Sequence, residues 1–256
     1  MTITNEKKLK KLLDQHKLGT VCVTGWLESI GISYQLLQYY KDSDWLQAVG
    51  TGAFKRPNEH ISWEGGLYAI QYQESSPIHA GGLTALSKQG LAHYIRAGST
   101  EQVYLFSPVK TTLPAWFKNY DWLKPIRHIK TFFLPVDKEI IEFEEKNFNI
   151  MISTPERAIL ECLYLTPDKM DLIECYQILE GMLTLRPNVL QELLENCKSI
   201  KVKRLFLYMA EKINHSWYNF INQDKINIGQ GDRSIVKGGV YIPKYKLVIP
   251  RELAEL

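Results

Sequence analysis

The tripeptide Gly50-Thr51-Gly52 restricts the first part of this chain more than any other segment. It separates two short β-prone runs, Trp45 to Val49 and Ala53 to Arg56, and glycines so placed supply the backbone freedom of a tight hairpin. Upstream of it the pattern is helical, in short pieces. Leu9, Leu12, Leu13 and His16 recur at helical spacing, while Lys7, Lys8, Lys10 and Lys11 fill the opposite side. Thr24 is positioned to cap a second helix whose apolar face is Trp26, Leu27 and Ile30, ended by Gly31. Ser33 then caps a third, with Leu36, Leu37 and Tyr40 inward and Tyr34, Gln35, Gln38 and Lys41 outward. Three helices followed by a two-stranded ribbon with a basic end is the layout of a winged helix-turn-helix.

The remainder changes character twice. From Ser62 to about Arg96 two further helical runs are interrupted by Gly65, Gly66, Gly81 and Gly82, a sign of close backbone approaches. Between Gln102 and Met151, runs such as Val103–Phe106, Lys130–Leu134 and Phe148–Met151 are β-prone and punctuated by Pro108, Pro114, Pro125 and Pro135, which predicts a sheet of four or more strands. After Ser153 the chain turns helical. Thr154 and Pro155 form a start signal, and further helices are expected near 168–182, 187–197 and 201–213. Two closing strands are predicted, at Asp224–Ile228 and Tyr245–Ile249, around the loop Gly229–Gly239. The expected class is α+β: an N-terminal winged helix-turn-helix domain with trailing helices (1–96), then a larger mixed α/β C-terminal domain (97–256).

Composition excludes several classes. Hydrophobic residues make up 45% and charged residues 23%, as in a globular protein rather than a disordered or collagen-like one. No apolar stretch approaches the ~18–20 residues of a membrane span. The Lys-rich start lacks the apolar core of a signal peptide, so a cytoplasmic location is expected. The four cysteines, Cys22, Cys162, Cys175 and Cys197, have no paired spacing and read as reduced core thiols. The net charge of +3 is an average over unlike parts. Residues 1–96 carry 10 basic and 8 acidic residues, 97–197 carry 10 and 15, and 198–256 carry 11 and 5. Such asymmetry favours a polyanionic or acidic partner.

The third helix is the sharpest candidate for chemistry. A recognition helix needs polar or aromatic side chains near its N-terminus to reach base edges, and Ser33, Tyr34, Gln35 and Gln38 supply them. Lys41, Thr51, Lys55 and Arg56 are the expected backbone contacts of helix and wing. At the other end, Lys198, Lys201, Lys203 and Arg204 cluster at a helix start, with Arg233 and Lys237 in the glycine-rich loop. Cations there oppose the helix dipole, which suggests a binding role for an acidic partner or phosphate. Signals for catalysis are poor. Gly229–Lys237 does not match the phosphate loop because Gly238 follows the lysine, and Gly50-Thr51-Gly52 lacks the third glycine of a dinucleotide fingerprint. The six histidines show no metal-ligand spacing, His93 reads as packed, and the run Glu142, Glu144, Glu145 reads as a solvated face. No enzymatic activity, metal or cofactor is expected.

Longer stretches carry a resemblance. These are Leu18–Leu37, Trp63–Tyr68, Pro77–Leu86, Ser153–Glu161 (STPERAILE), Val202–Glu211 and Ile226–Gly239 (INIGQGDRSIVKGG). Through them the chain resembles the AbiEi-type antitoxins of type IV toxin–antitoxin systems, which are also transcriptional regulators. The resemblance implies an N-terminal winged helix that binds inverted repeats in its own promoter and represses that operon. It also implies a C-terminal domain that counters a cognate nucleotidyltransferase toxin, often without a stable complex. Ser33–Lys41 would then be the recognition helix and Gly50–Arg56 the wing. The antitoxin surface is assigned to Lys201, Lys203, Arg204, Arg233 and Lys237 by the charge argument alone. The third helix contains no arginine, so the chain is expected to be a monomer in solution that binds its repeat as two copies. The alternatives are an orphan winged-helix regulator, a pure protein-interaction module, or a nucleotide-binding enzyme built on the Gly229–Lys237 loop.

Overall fold

The structure, a computed structural model, describes residues 3–92 and 102–256. The N-terminal module runs α1 (Ile3–Gln15), β1 (Cys22–Val23), α2 (Thr24–Ser29), α3 (Tyr34–Asp42), β2 (Gln47–Gly50) and β3 (Ala53–Lys55). Its strands form a sheet in the order β1-β3-β2, with Cys22 opposite Phe54 and Val23 opposite Ala53. Side chains alternate across a pleated sheet, and here both faces are used. Cys22 and Phe54 join a small apolar cluster with Leu9, Leu12, Leu27, Leu37 and Tyr40. Val21, Val23 and Ala53 point the other way, into the large core shared with the rest of the chain. β1 and β3 are therefore clamped between the three helices and the main body, while Gln47 and Ala48 of β2 stay exposed.

The main body begins with α4 (Trp63–Tyr68), which passes into a π-helical turn over Ala69–Gln73. The Gln73 amide donates 2.8 Å to the Val21 carbonyl and accepts 2.9 Å from the Val23 N–H, bonding this turn to β1. A β-carbon at Gly65 would lie 1.9 Å from the Gly19 carbonyl oxygen, so glycine is required for α4 to approach the module. Next come β4 (His79–Ala80), α5 (Gly82–Lys88), β5 (Val103–Ser107), α6 (Ala115–Asn119), β6 (Ile126–Lys130), β7 (Ile140–Glu144) and β8 (Asn149–Ser153). They make a five-stranded sheet in the order β6-β5-β4-β8-β7. Helices α7 (Pro155–Leu165), α8 (Leu172–Glu180), α9 (Pro187–Asn196) and α10 (Ile200–Ile213) follow. A small sheet of β9 (Arg233–Ser234), β10 (Val240–Ile242) and β11 (Leu247–Ile249), ordered β10-β11-β9, and a last helix α11 (Arg251–Glu255) complete the fold.

The α+β class and the winged-helix layout agree with the sequence reading. Several details do not. Thr24 is the first residue of α2 rather than its cap, and its hydroxyl goes instead to the Gly52 carbonyl. The run expected at Lys130–Leu134 is displaced to Ile126–Lys130, and β7 was not expected as a strand. Asp224–Ile228 is not a strand: Asn222 caps a 3-10 turn over Gln223–Lys225. The five-stranded sheet is also not confined to residues after 96, because its central strand is the two-residue β4. A strand that short carries no detectable period. The helical reading from Gln89 towards Arg96, and with it His93, extends into 93–101, outside the described residues.

Candidate nucleic-acid interface and the C-terminal cations

Helix α3 is locally encoded. The Ser33 hydroxyl accepts the Leu36 N–H at 3.4 Å, satisfying one orphan donor of the first turn. Leu36, Leu37 and Tyr40 are buried and anchor one face, leaving Tyr34 66% exposed and Gln35 exposed on the other. Gln38 and Lys41 are half-buried and joined: Lys41 Nζ donates 3.1 Å to Gln38 Oε1. That bond uses one of the two lone pairs of the amide oxygen, so Gln38 keeps acceptor as well as donor capacity. Tyr39, and Trp45, which the sequence places at the start of a β-prone run, are also exposed on and just after this helix. Their only signal was that neither falls on the Leu36/Leu37/Tyr40 stripe.

The wing is short and pinned. The Thr24 N–H donates 2.9 Å to the Gly52 carbonyl and its hydroxyl 3.2 Å to the same atom, fastening the hairpin tip to α2. Gly52 has φ +75, a conformation that favours glycine. On the other side a β-carbon at Gly50 would meet the Trp116 Cβ at 2.9 Å, so β2 lies flat against α6. Thr51 remains exposed at the tip. Lys55 and Arg56 do not reach out from the wing. Lys55 Nζ donates 2.8 Å to the Glu59 carbonyl. Arg56 Nη2 donates 2.6 Å to the Leu13 carbonyl and 2.9 Å to that of His16, while Nε donates 3.2 Å to His16 Nδ1. A guanidinium at a helix C-terminus meets unsatisfied carbonyls and the negative end of the dipole, so Arg56 is a cap for α1 rather than a free phosphate ligand. Burial, and secondarily the Arg56 charge, hold the His16 imidazole down at about 4.

The C-terminal cations divide in two. Lys203 and Arg204 are buried, which removes them from the surface to which the sequence reading assigned them. The Arg204 guanidinium donates to the carbonyls of Ile228 (2.8 Å), Lys246 (2.8 Å) and Gly229 (3.3 Å). Folding itself asks for this cation, since it gathers the glycine loop and the turn into β11 onto α10. Lys201 is half-buried, and its Nζ donates to the carbonyls of Tyr164 (2.8 Å) and Thr166 (2.5 Å). Arg233 and Lys237 are exposed. Of the acidic run, Glu145 pairs with Lys88 and Glu142 accepts from Tyr72 and Asn149, while Glu142 and Glu144 stay exposed. Among the described residues no group of three or more histidine, cysteine or acidic side chains is arranged to hold a metal ion. None of their helices is long and apolar enough to cross a membrane.

The family of transcriptional regulators described as AbiEi antitoxins of type IV toxin–antitoxin systems matches residues 100–250, more than half of the chain. Its N-terminal domain model matches residues 5–97. The chain belongs to the AbiEi antitoxin family. No curated protein sequence matches it. Among solved structures, the Rv2827c protein of Mycobacterium tuberculosis shares the fold, with a TM-score of 0.56 at 12% identity, covering 97% of this chain and 92% of that one.

In this AbiEi-family chain the STPERAILE segment is an internal lock. Thr154 precedes α7 with Pro155 at its first position. Glu156 receives the backbone N–H (2.9 Å), Nε (3.0 Å) and Nη2 (2.8 Å) of Arg186. Arg157 donates 2.8 Å to Glu161 and also reaches the carbonyls of Pro135 and Lys138. Glu161 is fully buried and also takes His79 Nε2 (3.2 Å), the Ser153 hydroxyl (2.7 Å) and the Gly82 N–H (2.9 Å). Burial opposes its charge, but Arg157, His79 and Ser153 together hold its carboxyl down at about 2. A β-carbon on Gly81 would sit 2.2 Å from Glu161 Oε2, and Gly82 has φ +53; together these account for the paired glycines of the Pro77–Leu86 segment. Ser153, Arg157, Glu161, His79 and Gly82 thus join α7 to β4, β8 and the start of α5.

Proposed function

We propose that this chain is an antitoxin that represses its own operon by binding inverted repeats in the promoter DNA through α3 and the wing. Its C-terminal half would counter a cognate nucleotidyltransferase toxin without itself being an enzyme. The observation that carries the DNA half is the outward face of α3. Tyr34 and Gln35 are exposed, and Gln38 half-exposed, on a helix that Ser33 caps and Leu36, Leu37 and Tyr40 hold. Glutamine reads adenine through its paired donor and acceptor, and Thr51 at the pinned tip contacts the backbone. Membership of a family of transcriptional regulators supports the same reading. The cations available to phosphates are few, which fits two copies sharing a repeat. Of the residues first assigned to the antitoxin surface, the exposed Arg233 and Lys237 are the ones able to meet a toxin. The protein acts in the cytoplasm, where operon and toxin are found.

The test is a gel-shift titration against DNA upstream of the gene. A sequence-specific shift that weakens steeply with salt is expected. Gln35→Ala is expected to cost about 1–3 kcal/mol and to relax the base preference at one position. A shift indifferent to sequence overturns the proposal.

A further inference from the structure

The five-stranded sheet ends in two edges of opposite charge. β6 carries Arg127 and Lys130 and no acid, whereas β7 carries Glu142 and Glu144 and no base. Among the described residues each is paired on one side only, β6 with β5 and β7 with β8.

Hydrogen bonds at the strand ends identify the spare backbone groups. The Val103 N–H donates to the Pro125 carbonyl and the Thr131 N–H to that of Ser107. A parallel ladder alternates, so Arg127 and Ile129 also bond inward, and the N–H and C=O of Ile126, His128 and Lys130 point away from the sheet. On the far edge the Thr154 N–H donates to the Glu139 carbonyl and the Glu145 N–H to that of Phe148. The same alternation turns the N–H and C=O of Ile140, Glu142 and Glu144 outward. β6 is also approachable: two grooves of ≈ 550 and ≈ 490 Å³ flank it, and Ile126 and His128 line both.

Charges on an edge strand ordinarily keep other copies of a chain away. Like signs on both edges would do so here, but opposite signs attract. Like charges still oppose β6 pairing with β6 or β7 with β7. β4 runs antiparallel to β5 and parallel to β8, and β7 runs antiparallel to β8, so β6 and β7 point the same way. A second copy displaced sideways along the sheet therefore lays its β7 parallel to this β6. We propose that β7 of one chain adds to β6 of another, joining the two sheets head to tail. The two surfaces differ, so the contact is heterologous and repeats in one direction; it is separate from the two-fold pairing that an inverted repeat imposes. It does not depend on DNA.

The experiment is sedimentation equilibrium of the full chain without DNA at about 50 mM and about 500 mM salt, which bracket strong and weak screening. Concentration-dependent association is expected at low salt, at least about tenfold weaker at high salt. An Arg127→Glu/Lys130→Glu variant has two acidic edges and a Glu142→Lys/Glu144→Lys variant two basic ones. Each alone should be monomeric, and their mixture should associate. Thermal unfolding checks that each is folded. Amide exchange on the native chain needs no variant: protection of Ile126, His128, Lys130, Ile140, Glu142 and Glu144 should rise with protein concentration. A native chain that stays monomeric at low salt, a mixture that does not associate, self-association of either variant alone, or protection that rises elsewhere overturns the proposal.

Discussion

Arg204 lies inside the protein with its Nε 2.8 Å from the carbonyl of Ile228, a residue 24 positions away. The Lys246 carbonyl also accepts the Arg233 N–H, but truncation removes the guanidinium from the carbonyls of Ile228 and Gly229 and breaks the link between the glycine loop and α10. Arg204→Ala is expected to destabilise the chain by about 2–4 kcal/mol, and Arg204→Lys to rescue little because one ammonium does not span three acceptors. Arg233→Ala, at an exposed site, should stay within about 0.5 kcal/mol of the parent. Urea unfolding midpoints with unchanged slopes decide this; equal effects at 204 and 233 would remove the distinction drawn between them.

Arg56 makes a similar contribution to α1, and its effect on DNA binding follows. Arg56→Ala should lower stability by about 1–2 kcal/mol through loss of a helix C-terminal partner. It should leave the slope of log affinity against log salt unchanged, whereas Lys41→Ala should reduce that slope by about 1. A reduced slope for Arg56→Ala would mean that this guanidinium leaves α1 to meet phosphate.

Acid stability falls in two stages. The folded His16 imidazole sits at about 4 against an ordinary 6.5, so the unfolded chain binds its proton first. The resulting stability is complete above 6.5 and is lost as pH falls towards 4, with a slope of at most about 1.4 kcal/mol per pH unit. His128, lowered to about 4 by burial and then Lys130, acts in the same direction. Glu161 is the carboxylate case: lowered from 4.5 to about 2, it stabilises above 4.5 and that contribution disappears as pH falls through 2. Denaturation midpoints followed from pH 7 to pH 2 should decline throughout, and His16→Gln should reduce the slope of the upper stage to the part that His128 supplies. A flat profile between 6.5 and 4 would contradict the buried neutral imidazole.

Gly65 controls how the N-terminal module seats on the body. A methyl group there would sit 1.9 Å from the Gly19 carbonyl oxygen, with backbone rather than a flexible side chain in the way. Gly65→Ala is expected to cost about 3 kcal/mol or more. Gly25→Ala, where nothing lies within 4 Å of the added carbon, serves as the neutral comparison. Thermal unfolding of the two variants gives the answer, and equal melting temperatures would refute the close approach.

Local chemistry was enough for α3 and for the start of α7. Ser33 three residues before Leu36, the Leu36/Leu37/Tyr40 stripe, and Pro155 at the first position of α7 each act within one or two helical turns, so sequence spacing alone carries them. The outward face of α3 was legible for the same reason: Tyr34 and Gln35 are what the stripe leaves over. The fate of the long cations was not legible. Arg56 and Arg204 look like surface charges, because a guanidinium turns inward only where carbonyls from distant segments converge. Those carbonyls belong to residues 40–43 positions away for Arg56 and 24–42 positions away for Arg204. Only the tertiary structure brings them together. It also decided that a two-residue strand, His79–Ala80, sits at the centre of the main sheet, that β1 and β3 feed both the small cluster and the large core, and that the sheet's two free edges carry opposite charge. None of these follows from local period, since each depends on which segments become neighbours once the chain has packed.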